Sequence, residues 1–163
     1  AKKNKSLIIE CNNTGVCPDL SRTIVTLNRV RLAELRDSGS FKSAKEIVTA
    51  MKMVAADLFV DNLRYIGCKL EIGNFRVDKN RIVIPSYIVG MFAVGIALLC
   101  DPEYIYLAGF EGFISGEKKD EHKEMQSFWK ILLQGRYLRN RKIISVTPTH
   151  YDLPVQSVYS LID

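Results

Sequence analysis

An uncharged run from Ile82 to Cys100 limits what this chain can fold into more than any other part of its sequence. About 18 apolar residues in succession can mark a transmembrane helix. Pro85-Ser86 favours a helix start, however, and Asp101-Pro102 favours a stop, so the helix has about 15 residues and a length of roughly 22 Å. The hydrocarbon core of a bilayer is about 30 Å thick. The sequence therefore predicts a buried helix at 86–100 and no membrane span.

Small residues within this helix favour close packing against a sheet; they are Gly90, Ala93, Gly95 and Ala97. Each glycine costs about 1 kcal/mol in helix propensity, and close packing offsets that cost. An apolar strand at 104–107 follows the helix and ends in Gly109-Phe110-Glu111-Gly112. Helix, turn and buried strand form half of a βαβ unit, and open α/β sheets place their ligand crevice at the carboxyl ends of such strands. We therefore expect a ligand site at this glycine-rich segment after the strand.

The remaining segments alternate between strand and helix patterns. We predict strands at 6–11, 23–27, 46–50, 68–72, 104–107 and 142–146, a hairpin of 75–77 with 81–83, and helices at 29–37, 54–66, 86–100 and 120–134. This alternation is typical of parallel sheets with helical crossovers. The predicted fold class is α/β, with a single Rossmann-like doubly wound, mostly parallel sheet of about six strands and helices on both faces.

The segment at 43–66 has two interpretations. Ser43-Ala44-Lys45-Glu46 fits a capping box, and the apolar residues that follow keep helical spacing, which favours one long helix. Ile47-Val48-Thr49 favours a strand instead, and a parallel sheet needs strands and helices to alternate. We favour a strand at 46–50 and a helix that ends at Gly67. The long helix remains the alternative.

The composition indicates one globular domain spanning residues 1–163, with 47% hydrophobic and 25% charged residues. The net charge of +5 comes partly from Lys2-Lys3-Lys5 and from four basic residues between positions 136 and 142. Both clusters are short and lack interleaved aromatic residues on one face. We therefore interpret them as solvated loops and expect no nucleic-acid partner.

Cysteine and histidine are too scattered to predict a metal site. The four cysteines form no C-x-x-C pair, and the two histidines, His122 and His150, lie far apart in the sequence. We expect no metal and no cofactor in this chain. With no signal peptide visible, the default location is the cytoplasm. The lysine-rich start at Ala1 fits a fragment of a longer protein equally well.

Two asparagines and a serine are candidate ligand-binding residues. Asn12 begins a polar turn, Asn12-Asn13-Thr14-Gly15, in which backbone N–H groups can face an anion, although the G-x-G-x-x-G fingerprint of dinucleotide sites is absent. Asn28 is both donor and acceptor and suits a base edge or a ribose hydroxyl. Ser86 can donate its hydroxyl to a phosphate. The alternatives are plain turns at the asparagines and a helix cap at Ser86.

A second set of candidates follows the last two predicted strands. Glu111 is the only acid in the apolar strand exit; it suits a ribose or sugar hydroxyl or a catalytic base, with a solvated loop acid as the alternative. Thr147 and His150 follow the final strand and reach the same edge as Asn28 and Glu111, so we expect Asn12, Asn28, Ser86, Glu111 and Thr147 to converge in one crevice. No G-x-S-x-G elbow accompanies His150. We interpret His122, which lies in a run of charged residues, as part of a solvated helix start.

Five pieces of the sequence together resemble a known domain. They are Asn28–Leu32, Ile84–Ser86, Ala93–Leu98, Ile105–Phe113 and Ser145–Thr149. In combination they resemble the Rossmann-like domain at the carboxyl end of bacterial aldolases of the HMG-CoA lyase or 4-hydroxy-2-oxovalerate aldolase type, which are associated with surface-polysaccharide genes. The resemblance covers most of residues 6–160. It implies that the lyase active site, with its metal, lies in an amino-terminal barrel domain of the same protein, outside this chain.

A more distant likeness is to bacterial sialyltransferases that use CMP-sialic acid. It implies that Asn12 and Asn28 match the nucleotide-side asparagines of those enzymes and that Ser86 matches a hydroxyl residue at the nucleotide site. Glu111 takes the place of an acidic residue after the strand. This chain departs from their pattern at Asn13-Thr14, where their turn is rich in glycine and proline, and in a lid reduced to about residues 114–120. Glu117 falls near the place of their catalytic histidine.

The sequence as a whole predicts an accessory domain that binds a nucleotide, a nucleotide-sugar or a sugar phosphate. The predicted ligand-binding residues are Asn12, Asn28, Ser86, Glu111, Thr147 and His150. A sialyltransferase-like glycosyltransferase is the second hypothesis, and a structural or oligomerisation domain is the third. No residue is assigned a catalytic role.

Overall fold

Nine strands and three α-helices make up the regular structure of residues 6–12, 22–50, 62–112 and 118–161, which are the residues described by this computed structural model. The strands are β1 (Ile8–Cys11), β2 (Arg22–Thr26), β3 (Glu46–Thr49), β4 (Leu63–Tyr65), β5 (Gly67–Leu70), β6 (Arg76–Asp78), β7 (Arg81–Ile84), β8 (Tyr104–Leu107) and β9 (Lys142–Ser145). The helices are α1 (Arg29–Asp37), α2 (Val89–Leu99) and α3 (Lys119–Gln134). Three 3₁₀ turns lie at Ser40–Ser43, Arg136–Leu138 and Val158–Leu161.

The strands are mostly parallel and are divided among three hydrogen-bonded sheets. The first has the order β1-β2-β3-β4 and is parallel throughout. In the second, β7 pairs in parallel with β5 and antiparallel with β6, and the third consists of the parallel pair β8-β9. The chain is therefore a mixed α/β protein with mostly parallel sheets. One continuous sheet of about six strands stays a prediction.

Helix α2 is the most deeply buried of the three described helices. It packs against β1 and β2 of the first sheet and against β6 and β7 of the second. A Cβ built on Gly95 would lie 2.6 Å from Cγ2 of Ile82 in β7, so the helix and the strand are as close as glycine allows. This contact confirms the expectation that small residues bring the helix close to a sheet.

Within the described residues, no helix has the length and apolar character needed to cross a membrane.

The start of α2 differs from the sequence prediction. The helix begins at Val89 rather than near residue 86, and its N-cap is Ile88, which makes no side-chain capping bond. The backbone N–H of Ile88 donates to the carbonyl of Ser86 at 2.9 Å, so the chain turns once before the helix begins. The prediction of a helix cap at Ser86 is therefore wrong.

Helix α3 is amphipathic, as its sequence predicts. Its core-facing residues are Met125, Phe128, Trp129 and Leu132, all of them buried. Leu133, the apolar residue next to Leu132, is 40% exposed. Phe75 packs edge-on against Phe128 at a centroid distance of 5.1 Å, which ties α3 to the segment before β6.

Three further predictions need correction or completion. The strand at 46–50 is confirmed by β3, so the continuous helix at 43–66 is wrong. The predicted helix at 54–66 lies partly outside the described residues, and where it is described the chain forms β4, whose register places Leu63 beside Ile47. The strand predicted at 6–11 is present as β1, which is an edge strand with Ile8 39% exposed.

A buried ion pair joins β1 to β2. Nε of Arg22 lies 2.5 Å from Oε2 of Glu10, and the two side chains are only 2% and 12% exposed. Removing two charges from water costs several kcal/mol per ion, and only close pairing offsets that cost. The sequence analysis missed this pair, since Arg22 directly precedes the predicted strand at 23–27 and shows no apolar periodicity.

We expect Gly95→Ala to lower the free energy of unfolding by about 1–3 kcal/mol, because the new methyl group overpacks against Ile82. The helix-propensity gain of up to about 1 kcal/mol offsets part of this loss. Gly90→Ala is the matched control in the same helix, since its Cβ would meet one atom, Cε1 of Phe110, at 3.0 Å and the others at 3.4 Å or more. Urea unfolding should rank Gly95→Ala as the less stable variant. The reverse order would contradict the contact.

Candidate functional site

Thr26 joins the two predicted asparagines at the carboxyl ends of β1 and β2. Its fully buried hydroxyl donates to Oδ1 of Asn12 at 3.1 Å and accepts the backbone N–H of Asn28 at 3.2 Å. The backbone N–H of Asn12 also donates to the carbonyl of Val25 at 2.8 Å. Asn12 has a positive φ of 60°, a conformation that asparagine tolerates better than most residues. The structure therefore brings Asn12 and Asn28 together, as the sequence predicts.

The polar atoms that remain at this edge are mostly donors. Oδ1 of Asn28 accepts the backbone N–H of Val30 at 2.8 Å, so Asn28 is the N-cap of α1. Oδ1 of Asn12 is occupied by Thr26. In the part of the chain that the structure describes, both amide nitrogens are left without a partner, and the first turn of α1 contains no acid. Arg29, exposed in that turn, adds a positive charge. This edge, which we call the α1 edge, suits a ligand rich in acceptor oxygens.

A second cluster lies where β8 and β9 end, and backbone contacts hold its two segments side by side. The backbone N–H of Gly109 donates to Oγ1 of Thr147 at 3.0 Å, and Oγ1 of Thr149 donates to the carbonyl of Phe110 at 2.6 Å. The backbone N–H of His150 donates to the carbonyl of Glu111 at 2.8 Å. Glu111 and His150 are exposed neighbours as a result. These contacts bring the segments after β8 and β9 together, and the prediction that they share an edge with Asn28 stays a prediction.

His122 supports this second cluster from α3, which contradicts its interpretation as solvated. Its ring stacks on Tyr151 at 4.7 Å with an interplanar angle of 14°, and a Cβ on Gly112 would lie 2.8 Å from His122 Nδ1. Nδ1 is buried without a hydrogen-bond partner in the described structure. Burial, with a smaller effect of Glu121, raises the pKa of Tyr151 above its ordinary value. The charged neighbours of His122 in the sequence concealed this apolar packing.

Ser86 lies at the carboxyl end of β7, but its hydroxyl is not free. It donates to Oε2 of Glu124 on α3 in a short hydrogen bond. The same part of α3 contacts the second cluster, because Nε2 of Gln126 donates to Oδ2 of Asp152 at 2.7 Å. Ser86 is therefore tied to the helix that supports Tyr151. The turn at 13–15 and the lid position Glu117 lie outside the described residues.

The thiols of Cys11, next to the α1 edge, and of Cys68 in β5 are poor nucleophiles. Burial, reinforced by the neighbouring Glu10 carboxylate, raises the pKa of Cys11 to about 11. Burial also raises the pKa of Cys68 to about 11. Both thiols are protonated at neutral pH, and the thiolate is the reactive form.

Among the described residues, no group of three or more His, Cys, Asp or Glu side chains is arranged to hold a metal ion.

Two surface grooves lie away from both clusters. One, of about 420 Å³, is lined by Asp101–Glu103, Arg136 and Arg139–Arg141. The other, of about 670 Å³, is lined by Lys45, Glu46 and 62–65, at the amino ends of β3 and β4. Neither includes a predicted ligand-binding residue. Sequence reasoning missed both, because each groove combines residues from segments that are distant in the chain.

Comparisons with protein-family models, with curated proteins and with solved structures found no match for this chain.

We expect Thr26→Val to lower the free energy of unfolding by about 1–3 kcal/mol, because the backbone N–H of Asn28 and Oδ1 of Asn12 lose their shared partner while the shape of the side chain is kept. Thr26→Ser retains the hydroxyl and is the control. Denaturant unfolding of the two variants measures the difference. A Thr26→Val variant as stable as the wild-type chain would contradict the role given to this hydroxyl.

Gly112→Ala should destabilise the fold more than Gly109→Ala. Both glycines have positive φ values, 88° and 75°, so each alanine pays a backbone cost of roughly 1–2 kcal/mol. Only at Gly112 does the methyl group also meet His122 and Tyr151, whereas a Cβ at Gly109 meets nothing within 4 Å. Thermal unfolding of both variants tests this. A Gly109→Ala variant as unstable as Gly112→Ala would show that the stack tolerates a methyl group.

Proposed function

We propose that this chain is a Rossmann-like domain that binds a nucleotide, a nucleotide-sugar or a sugar phosphate at the α1 edge. The observation that carries the proposal is the arrangement around Thr26, which uses the side-chain oxygens of Asn12 and Asn28 and leaves their amide nitrogens as donors. Ligands of these classes present phosphate, ribose and base oxygens that accept such bonds. The N-terminus of α1 favours a negative charge by about 0.3–1 kcal/mol.

In the fuller form of this proposal, the three sheets belong to one doubly wound assembly with helices on both faces. The second cluster then lies on the same carboxyl edge, where Thr147, Glu111 and His150 contact the sugar or the remainder of the ligand. Glu111 suits a diol, since a carboxylate accepts hydrogen bonds from two hydroxyl groups. Ser86 enters this form of the proposal through Glu124 on α3, as a residue that positions the helix.

Because of its sequence resemblance to the carboxyl-terminal domains of bacterial aldolases, we also propose that this chain belongs to a larger protein. On this proposal the chain is an accessory domain in cytoplasmic surface-polysaccharide metabolism, and the lyase chemistry and its metal belong to an amino-terminal barrel. The chain alone then cleaves no 4-hydroxy-2-oxo acid. Sequencing the full reading frame tests this part, since an adjoining barrel supports it and its absence contradicts it.

Asn28→Asp tests the ligand site without removing the helix cap. Aspartate keeps the oxygen that caps α1, and asparagine and aspartate cap equally well. It replaces the amide donor with a negative charge, so we expect the Kd of a phosphate-bearing ligand to rise tenfold or more. The exposed turn residue Asn80 offers the matched change, Asn80→Asp, which should leave Kd unaltered.

The readout is the melting temperature with CMP, CMP-sugars, other nucleotides and sugar phosphates. A ligand at a hundred times its Kd stabilises the native state by about 2.7 kcal/mol. No shift with any member of the panel at millimolar concentration would contradict the proposal and favour a structural role. Equal weakening by Asn28→Asp and Asn80→Asp would place the ligand elsewhere.

A glycosyltransferase-like enzyme is the second candidate, favoured by the pairing of Glu111 with His150. A backbone hydrogen bond brings these two residues together after β8 and β9, and a carboxylate and an imidazole are groups suited to acid–base chemistry. Transfer from CMP-sialic acid that is lost in His150→Ala, with unfolding midpoint unchanged, would establish it. Absence of turnover in the wild-type chain would leave the binding function as the better proposal.

A further inference from the structure

One face of the β8-β9 sheet carries two exposed aromatic rings. Tyr104 and Tyr106 alternate along β8 with the buried residues Ile105 and Leu107, and they are 38% and 46% exposed. Their rings stack with centroids 5.8 Å apart and an interplanar angle of 7°. Nζ of Lys142, on the paired strand β9, lies 5.4 Å from the centroid of the Tyr104 ring. The face therefore combines a cation with an accessible ring at Tyr106.

The arginine-lined groove of about 420 Å³ lies next to the start of these two strands. Its lining residues Glu103 and Arg141 immediately precede Tyr104 and Lys142, the first residues of β8 and β9. We call the groove and the two tyrosines together the arginine–tyrosine surface. It lies at the amino ends of β8 and β9, whereas the site proposed above uses the carboxyl ends of strands.

Positive charge dominates the arginine–tyrosine surface. It holds four cations, Arg136, Arg139, Arg141 and Lys142, and two carboxylates, Asp101 and Glu103. Arg141 is bonded to Asp101 and also donates to the carbonyl of Tyr137 at 2.6 Å, so it neutralises one acid and is fixed in place. Arg139 has no carboxylate partner among the residues that the structure describes. Arg136 lies 5.9 Å from the Tyr137 ring and is exposed.

We propose that the arginine–tyrosine surface binds single-stranded nucleic acid. The guanidinium groups of Arg136 and Arg139 contact backbone phosphates, and a base stacks on Tyr106. Grooves of positive charge beside exposed aromatic rings suit single strands, because every base has a π-face and the phosphates follow the charge. This revises the expectation that nucleic acid is not a partner. That expectation rested on a basic cluster without aromatics, and the pairing of β8 with β9 brings two tyrosines beside it.

Fluorescence anisotropy with labelled oligo-dT and oligo-U of twelve nucleotides tests the proposal. We expect binding at low salt that weakens as salt rises, with a slope of about −0.7 for each phosphate contacted. Tyr106→Ala should raise Kd about five- to 150-fold, the range given by loss of stacking on one base. Tyr106→Leu removes the ring and keeps the apolar bulk of a strand residue, so it should weaken binding in the same way if the alanine variant is poorly folded.

Arg139→Ala should weaken binding to both oligonucleotides and reduce the salt slope by about 0.7. The matched controls are Tyr159→Ala and Arg64→Ala, which change an exposed tyrosine and an exposed arginine on other parts of the surface and should leave Kd unchanged. Asn28→Asp should also leave oligonucleotide binding unchanged, which separates this surface from the α1 edge. If Asn28→Asp changed the Kd for the oligonucleotides, the arginine–tyrosine surface and the α1 edge would not be separate sites, and the proposal would be overturned.

Three other outcomes would overturn the proposal that this surface binds single-stranded nucleic acid. They are the absence of binding at low salt, tighter binding of a duplex than of the single strand, and wild-type affinity in both Tyr106 variants. The last result, together with full competition by inorganic polyphosphate, would show that the arginines attract any polyanion without base stacking. Loss of affinity in the Tyr106 and Arg139 variants, with the controls unchanged, would establish the surface as proposed.

Discussion

The close approach of α2 to its neighbours holds the three sheets of this protein in one core. Because Gly95 has no side chain, Ile82 of the second sheet packs close to the helix. The Phe110 ring, which follows β8 of the third sheet, packs against Gly90 in the same way. The helix also packs on β1 and β2 of the first sheet. A helix with side chains at both glycine positions would stand further from two sheets at once. The positions of all the strand ends, and of the polar residues after them, therefore depend on how near this helix lies.

Threonine hydroxyl groups organise both clusters of polar residues. Thr26 connects the ends of β1 and β2, while Thr147 and Thr149 connect the segments that follow β8 and β9. Thr26 bonds the side chain of Asn12 on the neighbouring segment and the backbone N–H of Asn28, whereas Thr147 and Thr149 bond backbone groups of the neighbouring segment. Small hydroxyl groups thus hold the candidate ligand residues in place, and one of these threonines, Thr147, is itself a predicted ligand-binding residue.

The sequence predicts those elements in which one pattern is unopposed. The bounds of α1 and of β8 follow from a short amphipathic repeat and an apolar run between turn residues, and both are confirmed. The prediction fails where tertiary contacts decide. Ser86 has the chemistry of a helix cap, but Glu124 of α3 takes its hydroxyl, and His122 has charged neighbours yet packs on Tyr151. Partners from distant segments leave no local signal. The groove lined by Arg136 and Arg141 could not be predicted from the sequence for the same reason.

The buried pair of Arg22 and Glu10 has a consequence for how this chain can change over generations. Losing either charge alone strands the other in the core at a cost of about 3–5 kcal/mol, although replacing both with apolar residues of similar volume is often neutral or stabilising. A chain with the charged pair and a chain with an apolar pair are therefore separated by single mutants. A domain with only about 5–15 kcal/mol of stability tolerates such mutants poorly. Descendants of this chain should keep or lose the two residues together, so that their joint inheritance would mark the pairing of β1 with β2 even where the remaining sequence has diverged.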